Sequence, residues 1–276
     1  MPGGRDVTQH RQEVEAGERF EFGANWSRFL RLLDAGRISH AEDSLRKMLG
    51  VDDLSGKRFL DAGSGSGLFS LAARRLGATV HSFDYDPRSV GCTEELRRRY
   101  FPGDRQWTVE SGSVLDSDYL ARLGQFDVVY SWGVLHHTGN QRAALENVVQ
   151  MVAPQGQLFI ALYNDQGWIS AYWTAVKRYY NRNSAFRMSL TLAHVPYLLV
   201  GRFVARALTG RLREERGMSL WYDMVDWLGG WPFEVSKPDD VVEFYSSRGF
   251  VIRRLITVGK RLGCNEYVFS RSAAAL

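Results

Sequence analysis

The sequence predicts an α/β chain built on a doubly wound, mostly parallel sheet. Three observations carry that expectation. Short apolar runs alternate with helical patterns from Phe59 to Tyr163, which is how a sheet covered on both faces reads. The run Phe59-Leu60-Asp61-Ala62-Gly63-Ser64-Gly65-Ser66-Gly67-Leu68-Phe69 reads as strand, glycine turn and helix start, a ligand cradle at a strand's C-terminal end. After a break, the alternation resumes near Ser236, and two strands, Phe250–Val258 and Cys264–Ser270, are joined by a five-residue link. So short a link implies an antiparallel hairpin.

Composition sets bounds. The chain has 276 residues, 45% of them hydrophobic, enough for one substantial core. A net charge of +4 is only mildly basic, which permits an anionic partner without requiring one. The two cysteines, Cys92 and Cys264, suit neither a metal site nor a disulfide framework, so a reducing cytoplasm is expected. No metal is expected, and no stretch reads as a membrane span or signal peptide.

In chain order, residues 1 to about 20 read as a frayed polar tail. Phe20 to Leu33 has apolar residues at near-helical spacing, and Ser39 with Glu42 reads as a capping box opening a helix that stops at Gly50. Residues 1–50 thus form an N-terminal helical cap, either a lid or a shield for one sheet face. A helix from Leu68 to Leu76 follows the glycine turn. Thr79 to Asp84 is a second strand, and Pro87 suits the first turn of the next helix. Gln106–Glu110 and Gln125–Ser131 are further strands, and Thr138 with Gln141 reads as another capping box. Pro154 ends the helix it opens, and Gly156–Tyr163 is the fifth strand. Core residues 51–163 and 237–276 then flank an insertion, 164–236, without strand signals and with five of the eight tryptophans.

The glycine run distinguishes between cofactors. Gly63, Gly65 and Gly67 depart from the dinucleotide pattern, because Leu68 stands where its third glycine would be. Asp61 before the turn would repel a pyrophosphate and attract a cation. S-adenosylmethionine carries an ammonium and a sulfonium and no phosphate. Asp84, 17 residues beyond Gly67, stands where a carboxylate can take ribose hydroxyls.

With Asp61 to Gly67, Asp84, Gly112-Ser113 after the third strand and Ser131-Trp132-Gly133-Val134-Leu135-His136-His137 after the fourth, the chain resembles the class I S-adenosylmethionine-dependent methyltransferases, in particular their small-molecule and quinone-precursor methylases. The resemblance implies a Rossmann-like seven-stranded sheet of order 3-2-1-4-5-7-6 with strand 7 antiparallel and a helical insertion between strands 5 and 6. It implies that Asp61 and the backbone of Gly63, Ser64, Gly65 and Gly67 hold the methionine part, that Asp84 meets the ribose, and that Ser113 and Val114 meet the adenine; Tyr85 is a further cofactor-binding candidate. Many relatives have an acid at the Ser113 position, which this chain lacks. Ser131 and Trp132 would line the methyl-donor site, and Asn25 and Trp26 would close over the cofactor.

For the acceptor, a base is needed only if the nucleophile must lose a proton. The candidates are His137, His136, Asp165 and Tyr222. Paired histidines also serve structure, one in the core and one capping a helix. Tyr163, Asn164, Trp168, Trp173, Trp221 and Trp227 could wall an apolar acceptor pocket, although some must fill the insertion's own core. The expected activity is methylation of a small aromatic or hydrophobic acceptor, at oxygen, leaving S-adenosylhomocysteine. The alternatives are a tRNA or other nucleic-acid methyltransferase and a non-catalytic module that binds S-adenosylmethionine. No appended RNA-binding segment or base-amine motif supports the former, and the intact Asp61, glycines and Asp84 oppose the latter. An apolar run, Met188–Gly201, followed by arginines suggests contact with a membrane surface through 186–216, or a solvated helical face. The oligomeric state is not legible.

Overall fold

The computed structural model describes residues 3–195 and 227–272. Seven strands form one sheet in the order β3-β2-β1-β4-β5-β7-β6. They are β1 (Arg58–Ala62), β2 (Thr79–Asp84), β3 (Trp107–Ser111), β4 (Phe126–Trp132), β5 (Val152–Tyr163), β6 (Phe250–Ile256) and β7 (Cys264–Arg271). The first five pair in parallel, and β7 runs antiparallel to β5 and β6. The hairpin and the sheet order match expectation. The hairpin lies at one edge of the sheet, with β7 inside and β6 outermost.

Successive strand residues enter opposite cores. Leu60, Val129, Leu158 and Phe269 pack on one face, and Phe59, Val128, Phe159 and Val268 on the other. Both faces being buried explains why the strands read as continuous apolar runs. The first face is covered by α6 (Ser117–Leu123), α7 (Gln141–Met151) and α10 (Pro238–Ser246); the second by α3 (Ala35–Leu49), α4 (Leu68–Arg75) and α5 (Pro87–Tyr100). The remaining helices are α1 (Gly3–Glu15), α2 (Gly23–Phe29), α8 (Trp168–Arg182) and α9 (Ser184–Val195).

Several local expectations need correction. The first residues are not frayed: they form α1, whose His10 is buried beside Tyr85. Ser39 does not open α3; Asp34 does, its carboxylate accepting the Arg37 N–H. Glu42 instead reaches Arg75 on α4. Gly50 ends α3 in a left-handed conformation, as expected. α7 is capped by Asn140 rather than Thr138, since the Asn140 side chain accepts from Ala143 N–H. β5 begins at Val152, and its pairing with β4 slips from Phe126↔Val152 to Val128↔Gln157, so the strand passes through Pro154 in a bulge.

No described helix is long and apolar enough to cross a membrane. Trp221, Tyr222 and most of the 186–216 segment fall outside the described residues.

Candidate functional site

The site forms where β1, β2, β4 and β5 end. Gly63 turns the chain after β1 with φ +87°, and a Cβ there would lie 2.4 Å from a Val134 methyl. Gly65 has φ +55°, and a Cβ on it would come within 3.1 Å of the Trp26 indole nitrogen. Side chains at either position would fill the space between this turn and its neighbours, so only glycine keeps the backbone open to a ligand. Around the turn lies a cavity of about 2280 Å³. A single small-molecule site is usually about 300–1,000 Å³, so there is room for a cofactor and an acceptor side by side.

Two carboxylates, Asp61 buried and Asp84 half-buried, mark one end. Asp61 is 1% exposed and accepts the Ser70 hydroxyl at 2.5 Å. Ser70 accepts from Ser82 at 2.8 Å, and Ser82 from the Trp107 indole at 2.9 Å. This chain of buried donors spans three strands' width and fixes one Asp61 oxygen. Asp84 accepts Gly65 N–H at 2.8 Å and Asp86 N–H at 2.9 Å, one on each oxygen. A carboxylate oxygen has further lone pairs, so both retain capacity for hydroxyls. Burial first, then the negative charge of Asp84, pushes the Asp61 carboxyl up to about 7. Burial likewise pushes Asp84 up to about 7, aided by Asp86 and opposed by its backbone hydrogen bonds. No cation appears among the partners that set either value. A pair of acids held by neutral donors at the cavity wall suits a cationic ligand.

The N-terminal helices close this end. Gly23 N–H donates to Asp86 at 2.7 Å, and Tyr85 donates to Glu13 at 3.1 Å. Arg19 spans the cavity, bonded to Glu13 at 2.7 Å and to the His137 carbonyl at 3.0 Å.

The opposite end is aromatic. Phe22 packs on His137 with ring centroids 4.9 Å apart, and Tyr163 on Trp227 at 5.4 Å. His137 Nδ1 lies 2.6 Å from the Pro232 carbonyl, which fixes the proton on Nδ1 and leaves Nε2 as the basic atom. Burial, offset in part by that bond and reinforced by the Lys177 and Arg19 charges, lowers its pKa to about 3. The imidazole is neutral at any ordinary pH.

Of the residues expected at the cofactor, Asp61, Gly63, Ser64, Gly65, Asp84, Tyr85, Ser113, Val114, Trp132 and Trp26 line the cavity. Three do not. Gly67 caps α4 and lies against Thr93. Ser131 is fully buried and donates to the Ala62 carbonyl. Asn25 is buried in α2 and accepts from Arg28.

Of the residues expected at the acceptor, His137, Tyr163 and Trp227 line the cavity. His136 does not: it is wholly buried, its Nδ1 accepting Tyr163 N–H at 3.3 Å. Asp165 shapes a turn by accepting Gly167 N–H, and Asn164 donates to the Gly259 carbonyl. Trp168 is 79% exposed on the outer face of α8, whereas Trp173 is 3% exposed inside the insertion's core. Both are removed from the pocket by the helix's own geometry. Sequence reasoning missed Arg19, Phe22, Gln166 and Ile169, all of which line the cavity. For Phe22 the near-helical apolar spacing was a usable signal; for Arg19 there was none.

The methyltransferase domain family matches residues 33–221. A ubiquinone biosynthesis O-methyltransferase from Escherichia fergusonii is 30% identical over 122 residues, 43% of this chain and 48% of that protein. The corresponding Escherichia coli O139:H28 protein matches over the same shares. The chain spans about half the length of these curated relatives. Among solved structures, magnesium protoporphyrin IX methyltransferase from Synechocystis PCC 6803, with bound S-adenosylhomocysteine, superposes with a TM-score of 0.54 at 16% identity, covering 90% of this chain and 94% of that one. An N-methyltransferase from Bradyrhizobium japonicum in complex with the same product gives 0.51 at 15%, covering 91% and 98%. At those identities the likeness shows the fold. The glycine turn, the acid pair and the family match together establish that the chain belongs to the S-adenosylmethionine-dependent methyltransferase family.

Proposed function

We propose that the protein methylates a small aromatic or hydrophobic acceptor, with oxygen as the attacking atom. The observation that carries this reading is the joining of two unlike ends in one cavity. An acid-lined end suits a cationic cofactor, and a ring-lined end made by Phe22, His137, Tyr163 and Trp227 suits an apolar acceptor. The O-methyltransferase relatives support oxygen. When bound, S-adenosylmethionine supplies an electrophilic methyl group on a sulfonium sulfur. In this reading Asp61 and the Gly63–Gly65 backbone hold the methionine part, Asp84 the ribose, and Ser113 and Val114 the adenine. Trp26 covers the turn. Residues 1–50 act as a cap and 164–236 as the acceptor-recognition insertion.

His137 bounds the acceptor and offers Nε2 as a hydrogen-bond acceptor. With its conjugate acid near 3, it is a weak proton acceptor at neutral pH. A matched general base contributes about 10²–10⁴ in rate. Replacing His137 by Gln should therefore lower kcat by no more than about tenfold, well below that range, measured with the identified acceptor; a thousandfold loss would make His137 the base.

The reading itself is tested by incubating the protein with methyl-deuterated S-adenosylmethionine and an extract of its host, followed by mass spectrometry. A labelled small molecule is expected. Label found only in RNA or protein would overturn it, and so would no label despite measured cofactor binding.

A further inference from the structure

The link between β6 and β7 overhangs the acceptor end, and it is held unusually firmly for a surface turn. Asn164 donates its side-chain amide to the Gly259 carbonyl at 2.8 Å, and its backbone N–H to Gly263 at 3.1 Å. Gln166 donates to the Arg261 carbonyl. Asn265, fully buried, accepts Val258 N–H at 3.0 Å and donates to Asn164 at 2.9 Å. These bonds tie the turn to the residues that lead into α8. Between the tied carbonyls sit Lys260 and Arg261, and both line the cavity beside Gln166, Ile169, Leu262 and Tyr163. Among the described residues neither is paired with a carboxylate.

The distribution of charge along the cavity is uneven. Glu13, Asp61, Asp84, Asp86 and Asp116 gather at the cofactor end, and the two further lining carboxylates, Asp34 and Asp43, are paired with Arg37 and Arg46. Near the link the lining carboxylate is Glu266, which already accepts the Trp132 indole at 3.3 Å. Two cations on a preorganised turn, facing a mostly apolar pocket, recognise a ligand that is apolar in body and anionic at its tip. We propose that Lys260 and Arg261 form an anion subsite for an acidic oxygen group, a carboxylate or its equivalent, carried by an aromatic acceptor. The inference rests on the acceptor assignment above and narrows it to organic acids.

The test is equilibrium binding of two probes to the full chain saturated with S-adenosylhomocysteine: 4-hydroxybenzoate, and 4-methylphenol, which has the same ring and hydroxyl without the acid. The expected result is at least tenfold tighter binding of 4-hydroxybenzoate at low salt, declining as salt is raised. The preference should vanish in Lys260→Ala/Arg261→Ala and persist in Lys260→Arg/Arg261→Lys, with S-adenosylhomocysteine affinity unchanged in both. Equal binding of the two probes, a preference that survives the double alanine change, or failure of both probes to bind at millimolar concentration would each overturn the subsite. None of these results depends on turnover. Absence of labelled product in the extract experiment, with the acid preference intact, would reject the methylation reading and leave the subsite standing as an anion site.

Discussion

Replacing Asp84 by Ala should weaken S-adenosylmethionine binding by about 10²–10³-fold, measured by calorimetry at pH 8. The expectation follows from what its two oxygens do. Each holds a backbone N–H, of Gly65 and Asp86, and in the proposed site each would also accept a ribose hydroxyl, since a carboxylate oxygen has a further lone pair. A hydrogen bond to a charged group contributes about 1.5–3 kcal/mol, so two such bonds lost together cost about 10²–10⁴-fold, and the stated range is the lower part of that span because water replaces the lost partner. The glycine turn is also affected, because Gly65 loses the acceptor that fixes its N–H. Asp84→Asn separates the contributions. It keeps an oxygen for Gly65 and loses the charge, so a loss of about tenfold is expected. The fold should survive, since removing an acid pushed up to about 7 by burial relieves a desolvated charge at alkaline pH. A change of less than threefold for Asp84→Ala would remove this residue from the ribose site.

Much of that argument was legible before any coordinates. Asp61, the glycines and Asp84 are close in sequence, and local spacing constrained them to one turn and two adjacent strands. Sheet order could not be read from spacing; it came with the family resemblance, and the structure reproduces it. What stayed hidden depends on distant partners. α1 is polar and looked like a tail because its ties, Glu13 to Tyr85 and His10 against the same ring, join residues more than seventy positions apart. The start of α3 was misplaced for a simpler reason: Asp34 and Ser39 are both competent caps, and only the backbone decides which one accepts an N–H.

The acceptor end was harder. The aromatic residues of the insertion were visible as a class, but composition does not say which face of a helix each one takes. Trp168 and Trp173 differ by five positions, about 140° around the helix, and one faces solvent while the other is core. The buried stripe of α8 includes Lys177, whose ammonium donates to the Trp227 carbonyl and lies 4.8 Å from the centre of the Phe233 ring. A lysine breaks an apolar periodicity, so the stripe was concealed by the residue that holds it to its neighbour. The two histidines divided as chemistry allows: the one whose Nδ1 takes a backbone N–H from β5 is sealed in, and the one that bonds Pro232 meets the cavity.

The pH dependence of the enzyme should appear in the affinity for the cofactor and not in kcat. Asp61 and Asp84 each have carboxyls raised to about 7 by burial, so the ligand-free site holds protons at and below neutrality. Because Asp84 raises Asp61, the pair titrates in coupled steps and neither step belongs to one residue. A cationic cofactor binds the ionised forms, so its binding expels protons. Affinity should therefore rise as pH rises toward 8 and fall by up to about tenfold for each unit below 7 when one proton is expelled. His137, near 3, contributes no limb around 6.5, so kcat at saturating cofactor should be flat from about pH 6 to 8. S-adenosylhomocysteine lacks the sulfonium charge and should show a shallower dependence. Calorimetry in buffers of different ionisation enthalpy counts the protons released, and Asp61→Asn should reduce that count. The same shifts fix a sign for stability. The unfolded carboxyls titrate near 3.8 and the folded ones near 7, so the folded state holds the extra protons between those values. Without ligand, stability should fall as pH rises through that window and level off above it. Cofactor affinity that is constant from pH 6 to 8, with no proton released, would show that the two acids are already ionised in the free protein.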